Sequence, residues 1–197
     1  MKSAKSKQSL PIGKKSTHIN SCANCLLVIG FLSLFILSYL IYQRYNPQNL
    51  SFDLPPATYS VNQDISSLQP IGIKIDSINL SLSIIPSEIN DNKWEASTKG
   101  ISYLRTSVIP GDKGNSILYG HNWPNLLGSL KRVKPGQEIV VIYNDNSRRS
   151  FEVEYLMSVS PSETSILEKS EDNRITLYTC DGFLDSKRLV AVAKLKA

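Results

Sequence analysis

The chain has 197 residues, 41% of them hydrophobic, which is enough for one globular domain with extras but not for two full domains. Its net charge of +5 suggests a nucleic-acid partner, but the excess sits at one end: Lys2, Lys5, Lys7, Lys14 and Lys15 come first, and no acid appears before Asp53. From Ile71 onward acidic and basic side chains nearly cancel, so the folded part offers no concentrated basic face and nucleic-acid binding is set aside.

In chain order, residues 1–24 form a basic tail. Cys25 to Tyr42 is an uncharged run, CLLVIGFLSLFILSYLIY, close to the ~20 residues an α-helix needs to cross a bilayer. Residues 25–43 are therefore expected to be a single transmembrane helix rather than a cleaved signal peptide, since no small-x-small site follows and Tyr39, Tyr42 and Tyr45 resemble an interfacial belt. The lysines before the run place the N-terminus in the cytoplasm and the rest outside. Residues 44–70, with Pro47, Pro55, Pro56 and Pro70 among Asn, Gln and Ser, show no useful periodicity and read as a stalk.

Residues 71–197 read as the folded domain. Ile71, Ile73 and Ile75 alternate, and after a one-step slip so do Ile78, Leu80, Leu82 and Ile84, giving two strands or one bent strand with a bulge. Strand-like runs follow at Ser116–His121, Glu138–Tyr143, Arg149–Met157, Arg174–Cys180 and Leu189–Leu195, separated by turn signals such as Lys134-Pro135-Gly136. Short helical pieces are expected at Trp94–Ser97 and Asn125–Leu130. Many short strands with few helical windows indicate an all-β barrel or sandwich.

Of three cysteines, Cys22 and Cys25 lie at the edge of the apolar run, and Cys180 is alone in the folded part. A single cysteine in an exported domain is either a buried small hydrophobe or a thiol in use. The Cys22-Ala-Asn-Cys25 spacing has no second pair or His pair to make a zinc site, and no acidic loop has calcium-site spacing, so no metal or cofactor is expected. His18 belongs to the basic tail, whereas His121 closes a strand-like run. Cys180 closes another, and Arg188 opens the last. Each alone is ordinary; together they can do chemistry. A thiolate attacks a carbonyl, an imidazolium stabilises it and protonates the departing amine, and an arginine holds the oxyanion or the substrate.

Thr176-Leu177-Tyr178-Thr179-Cys180 is similar to the Thr-Leu-x-Thr-Cys signature of sortases. His121 in Tyr-Gly-His resembles their strand-end histidine, Arg188 resembles their downstream arginine, and the Leu-x-x-Leu-Lys-x-Val-Lys-x-Gly-x-x-Ile segment from Leu127 to Ile139 fits as well. The resemblance spans roughly Ile71 to Leu195. It implies a closed sortase-like β-barrel behind a single membrane helix. It further implies a cysteine transpeptidase with His121, Cys180 and Arg188 as catalytic residues and Thr179 in contact with substrate. Such an enzyme cleaves a Leu-Pro-x-Thr-Gly-like sorting signal on surface proteins between Thr and Gly and passes the acyl group to an amine, such as a cell-wall precursor. The short Asp181–Lys187 loop is unlike class A sortases. The lack of a second apolar segment at the C-terminus and of a clear Asp-Pro-aromatic lid before Ile71 is expected to point away from the pilus-building class.

Rival readings fit less well. An L,D-transpeptidase places His and Gly just before the cysteine and Arg two residues after, where this chain has Tyr178, Thr179 and Gly182. Papain-like proteases reverse the Cys–His order. A non-catalytic envelope-binding module with Cys180 merely packed is the alternative from another class.

Overall fold

The structure is a computed structural model that describes residues 17–44, 50–52, 68–90 and 93–196. The chain divides into two units, one ending at Tyr42 and one beginning at Gln43. The first holds a long helix, α1 (Thr17–Arg44), within which Ala23–Gln43 is long and apolar enough to cross a membrane. At ~1.5 Å per residue those 21 residues span about 31 Å, matching a bilayer's hydrocarbon core. Its Leu, Ile and Phe side chains are exposed, as a lipid-facing helix requires. The Ser33 and Ser38 hydroxyls donate to the carbonyls of Ile29 and Leu34 at 2.8 and 2.9 Å, so neither is left unpaired in an apolar stretch. The five N-terminal lysines and Tyr45 lie outside the described residues.

The second unit is a closed barrel. Its strands are β1 (Pro70–Ile75), β2 (Leu80–Ser87), β5 (Ile101–Leu104), β6 (Gly114–Tyr119), β7 (Glu138–Tyr143), β8 (Arg148–Val159), β9 (Asn173–Asp181) and β10 (Lys187–Leu195), with a two-stranded hairpin of β3 (Ile89–Asn90) and β4 (Lys93–Trp94) beside it. The order around the barrel is β1-β2-β5-β6-β9-β10-β8-β7, closing where β7 returns to β1. Pairing is antiparallel except between β2 and β5 and between β6 and β9. The slip in the first apolar run proves to be a tight turn: Asp76–Ile78 forms a 3-10 turn and Asn79 takes a left-handed conformation, which separates two true strands.

Alternation sorts the barrel residues into two apolar clusters. The inner one draws on all eight strands and includes Ile73, Ile84, Tyr103, Leu118, Val141, Phe151, Leu177 and Ala191. The second covers the outer face of β6, β9 and β10 and includes Ile117, Tyr119, Tyr178, Cys180, Val190 and Val192, roofed by Trp94, Leu50 and Phe52. On β9 the split is strict, with Ile175 and Leu177 inward and Tyr178 and Cys180 outward.

Three local expectations change. Trp94–Ser97 is not helical: Trp94 ends β4 and the next residues are irregular, because the indole packs against Tyr119 and Tyr178. The helical piece near Asn125 is a 3-10 segment at Leu127–Arg132, with Leu127 and Leu130 turned into the barrel core. Within the segment read as a stalk, Leu50 and Phe52 are buried in the outer cluster; most of the remaining stalk lies outside the described residues.

Candidate active site

Cys180 and Arg188 are Cα partners across the antiparallel β9–β10 ladder, so their side chains emerge side by side on one face. The link between them is the loop at Phe183–Asp185. Gly182 has φ +78°, and Leu184 and Asp185 also lie in the left-handed region at 51° and 59°. Two consecutive non-glycine residues there cost on the order of 1–3 kcal/mol each, strain of the kind that clusters at working sites.

His121 reaches the same end of the barrel from β6. The parallel register pairs Tyr119 with Tyr178, the Gly120 amide donates to the Tyr178 carbonyl at 3.2 Å, and His121 follows two residues past the strand end, next to the tip of β9. Its ring stacks on Trp123 with centroids 4.3 Å apart and planes 8° from parallel, and its carbonyl accepts the Leu127 amide at 3.1 Å. The imidazole is thereby fixed in plane and in position.

Both threonines of the motif are ties between β9 and β6. The Thr176 hydroxyl donates to Asn115 Oδ1 at 2.7 Å, and Asn115 in turn donates to the carbonyls of Ile166 and Glu168. Thr179, expected to touch substrate, is 1% exposed and donates its hydroxyl to the Gly120 carbonyl at 2.7 Å. It alternates with Cys180 along β9, so it points to the opposite face from the thiol.

All three site side chains are buried: Cys180 is 5% exposed, and His121 and Arg188 are 4%. Burial pushes the Cys180 thiol up to about 12, the Asp185 carboxylate adds to the rise, and Arg188 opposes it. Burial also lowers His121 below its ordinary value. In this closed state the neutral thiol and the neutral imidazole are favoured over the ion pair. Arg188 is held by backbone carbonyls: Nη1 donates to Asp185 and Lys187 at 2.9 Å each, and Nη2 donates to Ser51 at 2.7 Å. The Phe52 ring lies 5.9 Å from its guanidinium carbon and meets Tyr178 edge-on at 4.9 Å. A separate polar cleft of about 570 Å³, lined by residues including Asp76, Asn79, Asn125 and Arg132, contains none of the three.

Sequence reasoning missed Leu50–Phe52, Trp94, Trp123 and Tyr178 as parts of this site. Only Tyr178 carried a signal, as the variable position of the five-residue motif.

Comparison with known proteins bears on the family and the fold. The family model for the sortase domain matches residues 73–196. Sortase A of Listeria monocytogenes is 33% identical over 101 residues, 49% of this chain and 45% of that protein, so the match spans about half of the curated relative's length. The crystal structure of Listeria monocytogenes sortase A superposes with a TM-score of 0.54 at 28% identity, covering 65% of this chain and 88% of that one. Sortase A from Corynebacterium diphtheriae shares the fold, with a TM-score of 0.58 at 23% identity over 81% of this chain and 83% of that one. With the domain match covering more than half of the sequence and a closed barrel carrying His121, Cys180 and Arg188 at one end, the chain belongs to the sortase family.

Proposed function

We propose that this protein is a membrane-anchored cysteine transpeptidase that acts on Leu-Pro-x-Thr-Gly-like sorting signals of surface proteins. In this reading the Cys180 thiolate attacks the carbonyl carbon of the scissile peptide bond, and the C–N bond breaks as His121 gives its proton to the leaving amine. The resulting thioester is attacked by an acceptor amine, such as one on a cell-wall precursor. His121 takes the proton back, and the acyl group leaves on nitrogen as the thiolate is released. Arg188, a fixed cation beside the thiol, stabilises the oxyanion of each tetrahedral intermediate. α1 anchors the enzyme, with the N-terminus in the cytoplasm and the barrel outside.

The observation that carries this reading is the pairing of Arg188 with Cys180 across β9–β10, with His121 at the adjoining strand end. A thiol, an imidazole and a guanidinium on three neighbouring strands form an acyl-transfer set. The second reading, an envelope-binding module with a packed cysteine, draws on the burial and high pKa of Cys180. One experiment decides between them: incubation with a panel of Leu-Pro-x-Thr-Gly peptides and an amine acceptor, with products and protein adducts followed by mass. The transpeptidase reading requires a thioester on Cys180 and an amide product, both absent in Cys180→Ala. Product from Cys180→Ala, or none from the wild type across the panel, removes it.

A further inference from the structure

The polar cleft of about 570 Å³ at the turn between β1 and β2 has no part in the mechanism described so far. Strand direction nevertheless puts it at the catalytic end of the barrel. β1 runs up to the Asp76–Ile78 turn, and successive antiparallel pairings through β7, β8 and β10 bring the end of β9, with Cys180, to the same rim. β6 runs parallel to β9, so His121 is there too. One stretch of chain joins the two places. From His121 it passes Pro124 and Asn125, which line the cleft, and enters the 3-10 segment Leu127–Arg132, where Ser129 and Arg132 line it again. Leu127 and Leu130 anchor that segment in the barrel core, and the Arg132 guanidinium donates to the Ile78 carbonyl at 3.4 Å.

The lining is rich in groups that donate or accept hydrogen bonds: Asn79, Ser81, Asn125 and Ser129, with one carboxylate, Asp76, and one guanidinium, Arg132. The two charges are not equally available. Asp76 is paired with Lys74 at 2.8 Å, whereas Arg132 has no ion pair among the described residues and makes only the long bond to Ile78. Lys131 and Lys134 flank it, both exposed, and the acid nearest in sequence, Glu138, faces Lys196 at 3.5 Å. The uncompensated charge at the cleft is therefore positive. Its volume is that of a site for a small organic ligand.

Acyl transfer has two substrates, and the second must give its amine proton to His121. It therefore comes in on the His121 side of the rim, where the cleft-lining segment begins. We infer that the cleft holds the body of the acceptor: a hydroxyl- and amide-rich amine that also carries an anionic group, a carboxylate or a phosphate, which pairs with Arg132. A glycopeptide has this chemistry. The inference deepens the transpeptidase reading and rests on it.

The test uses the full chain in detergent micelles with a saturating Leu-Pro-x-Thr-Gly peptide. Transfer is measured to two acceptors, an N-acetylmuramyl pentapeptide with a free side-chain amine and the small neutral amine glycinamide. Arg132→Gln removes the charge from an exposed side chain, and Ser81→Leu, at an exposed strand position, narrows the cleft without touching Arg132. Both should raise KM for the muramyl peptide about tenfold, the scale of one charged hydrogen bond. KM for the sorting peptide and the rate of transfer to glycinamide should stay at wild-type values. A wild-type KM for the muramyl peptide in either variant overturns the inference, and so does an equal loss with glycinamide; the transpeptidase reading stands in both cases. A wild type that processes no peptide of the panel overturns both.

Discussion

Ser51 and Arg188 are 137 residues apart in sequence, yet the Ser51 carbonyl accepts a 2.7 Å hydrogen bond from the Arg188 guanidinium. The residue proposed to stabilise a substrate oxyanion is thus occupied, in the resting protein, by an oxygen of the chain itself. The chemistry of the site depends on how easily that contact opens.

The first prediction concerns the thiol. Burial is the leading cause of the high Cys180 pKa. Uncovering the site with Phe52→Ala should therefore bring the thiol back towards 9.0. The rate of Cys180 alkylation by iodoacetamide against pH, with the adduct located by mass to separate it from Cys22 and Cys25, should have its midpoint at lower pH in the variant. An identical midpoint would mean that Phe52 does not control the desolvation.

The pH profile of turnover follows from both shifts. His121 is lowered and Cys180 is raised, so over a wide middle range the site carries one proton, shared between a dominant neutral pair and a minor thiolate–imidazolium pair. Activity should fall on the acid side only below about 6.5, where both groups are protonated. On the alkaline side it should fall only well above 9.0, where both have lost their protons. The active form is a small constant fraction in between, which keeps rates modest. His121→Ala should remove the acid limb and nearly all turnover in a kcat/KM series from pH 5 to 10; a wild-type profile in that variant would sink the proton-transfer role.

Arg188→Lys keeps the charge but loses the planar fork that reaches three carbonyls at once. Turnover should drop about a hundredfold, the scale of losing one oxyanion donor, while Cys180 stays open to alkylation. Full activity in the lysine variant would remove Arg188 from the chemistry.

Thr179→Val tests the tie between β9 and β6. It leaves the Gly120 carbonyl without its 2.7 Å donor, which should cost about 1–3 kcal/mol of stability. His121 begins one residue later, so kcat should fall as well, and Thr179→Ser should restore both. Loss of peptide affinity alone, with stability and kcat intact, would return Thr179 to direct substrate contact.

Legibility followed periodicity. β1, β2, β7 and β8 were readable because one face is apolar and the other is not. β5 was not: Ile101, Ser102, Tyr103 and Leu104 are all buried, since Ser102 faces outward onto the Ser97 amide rather than solvent, and so no alternation remains. The hairpin of β3 and β4 has two residues per strand, too few for any pattern. In the site, His121, Cys180 and Arg188 could be named because reactive residue types at strand ends stand out. Leu50 and Phe52 could not, because two apolar residues in a Pro- and Asn-rich stretch gain meaning only from a groove assembled by strands more than sixty residues downstream.

The return of β7 onto β1 has a consequence for recognition. With eight strands closed into a ring, each barrel strand has a neighbour on both sides over part of its length, and unpaired edge is confined to stretches that outrun a neighbour, such as Tyr155–Val159 of β8. The ring leaves little room for a peptide to add itself as one more full-length strand, the route by which many domains read main chain regardless of side chains. In the proposed transpeptidase a sorting signal would instead be read across the outer surface, through side chains that face outward from the strands. Selectivity can then drift by exchanging a handful of surface-facing residues while the inner barrel, and with it the fold, stays unchanged.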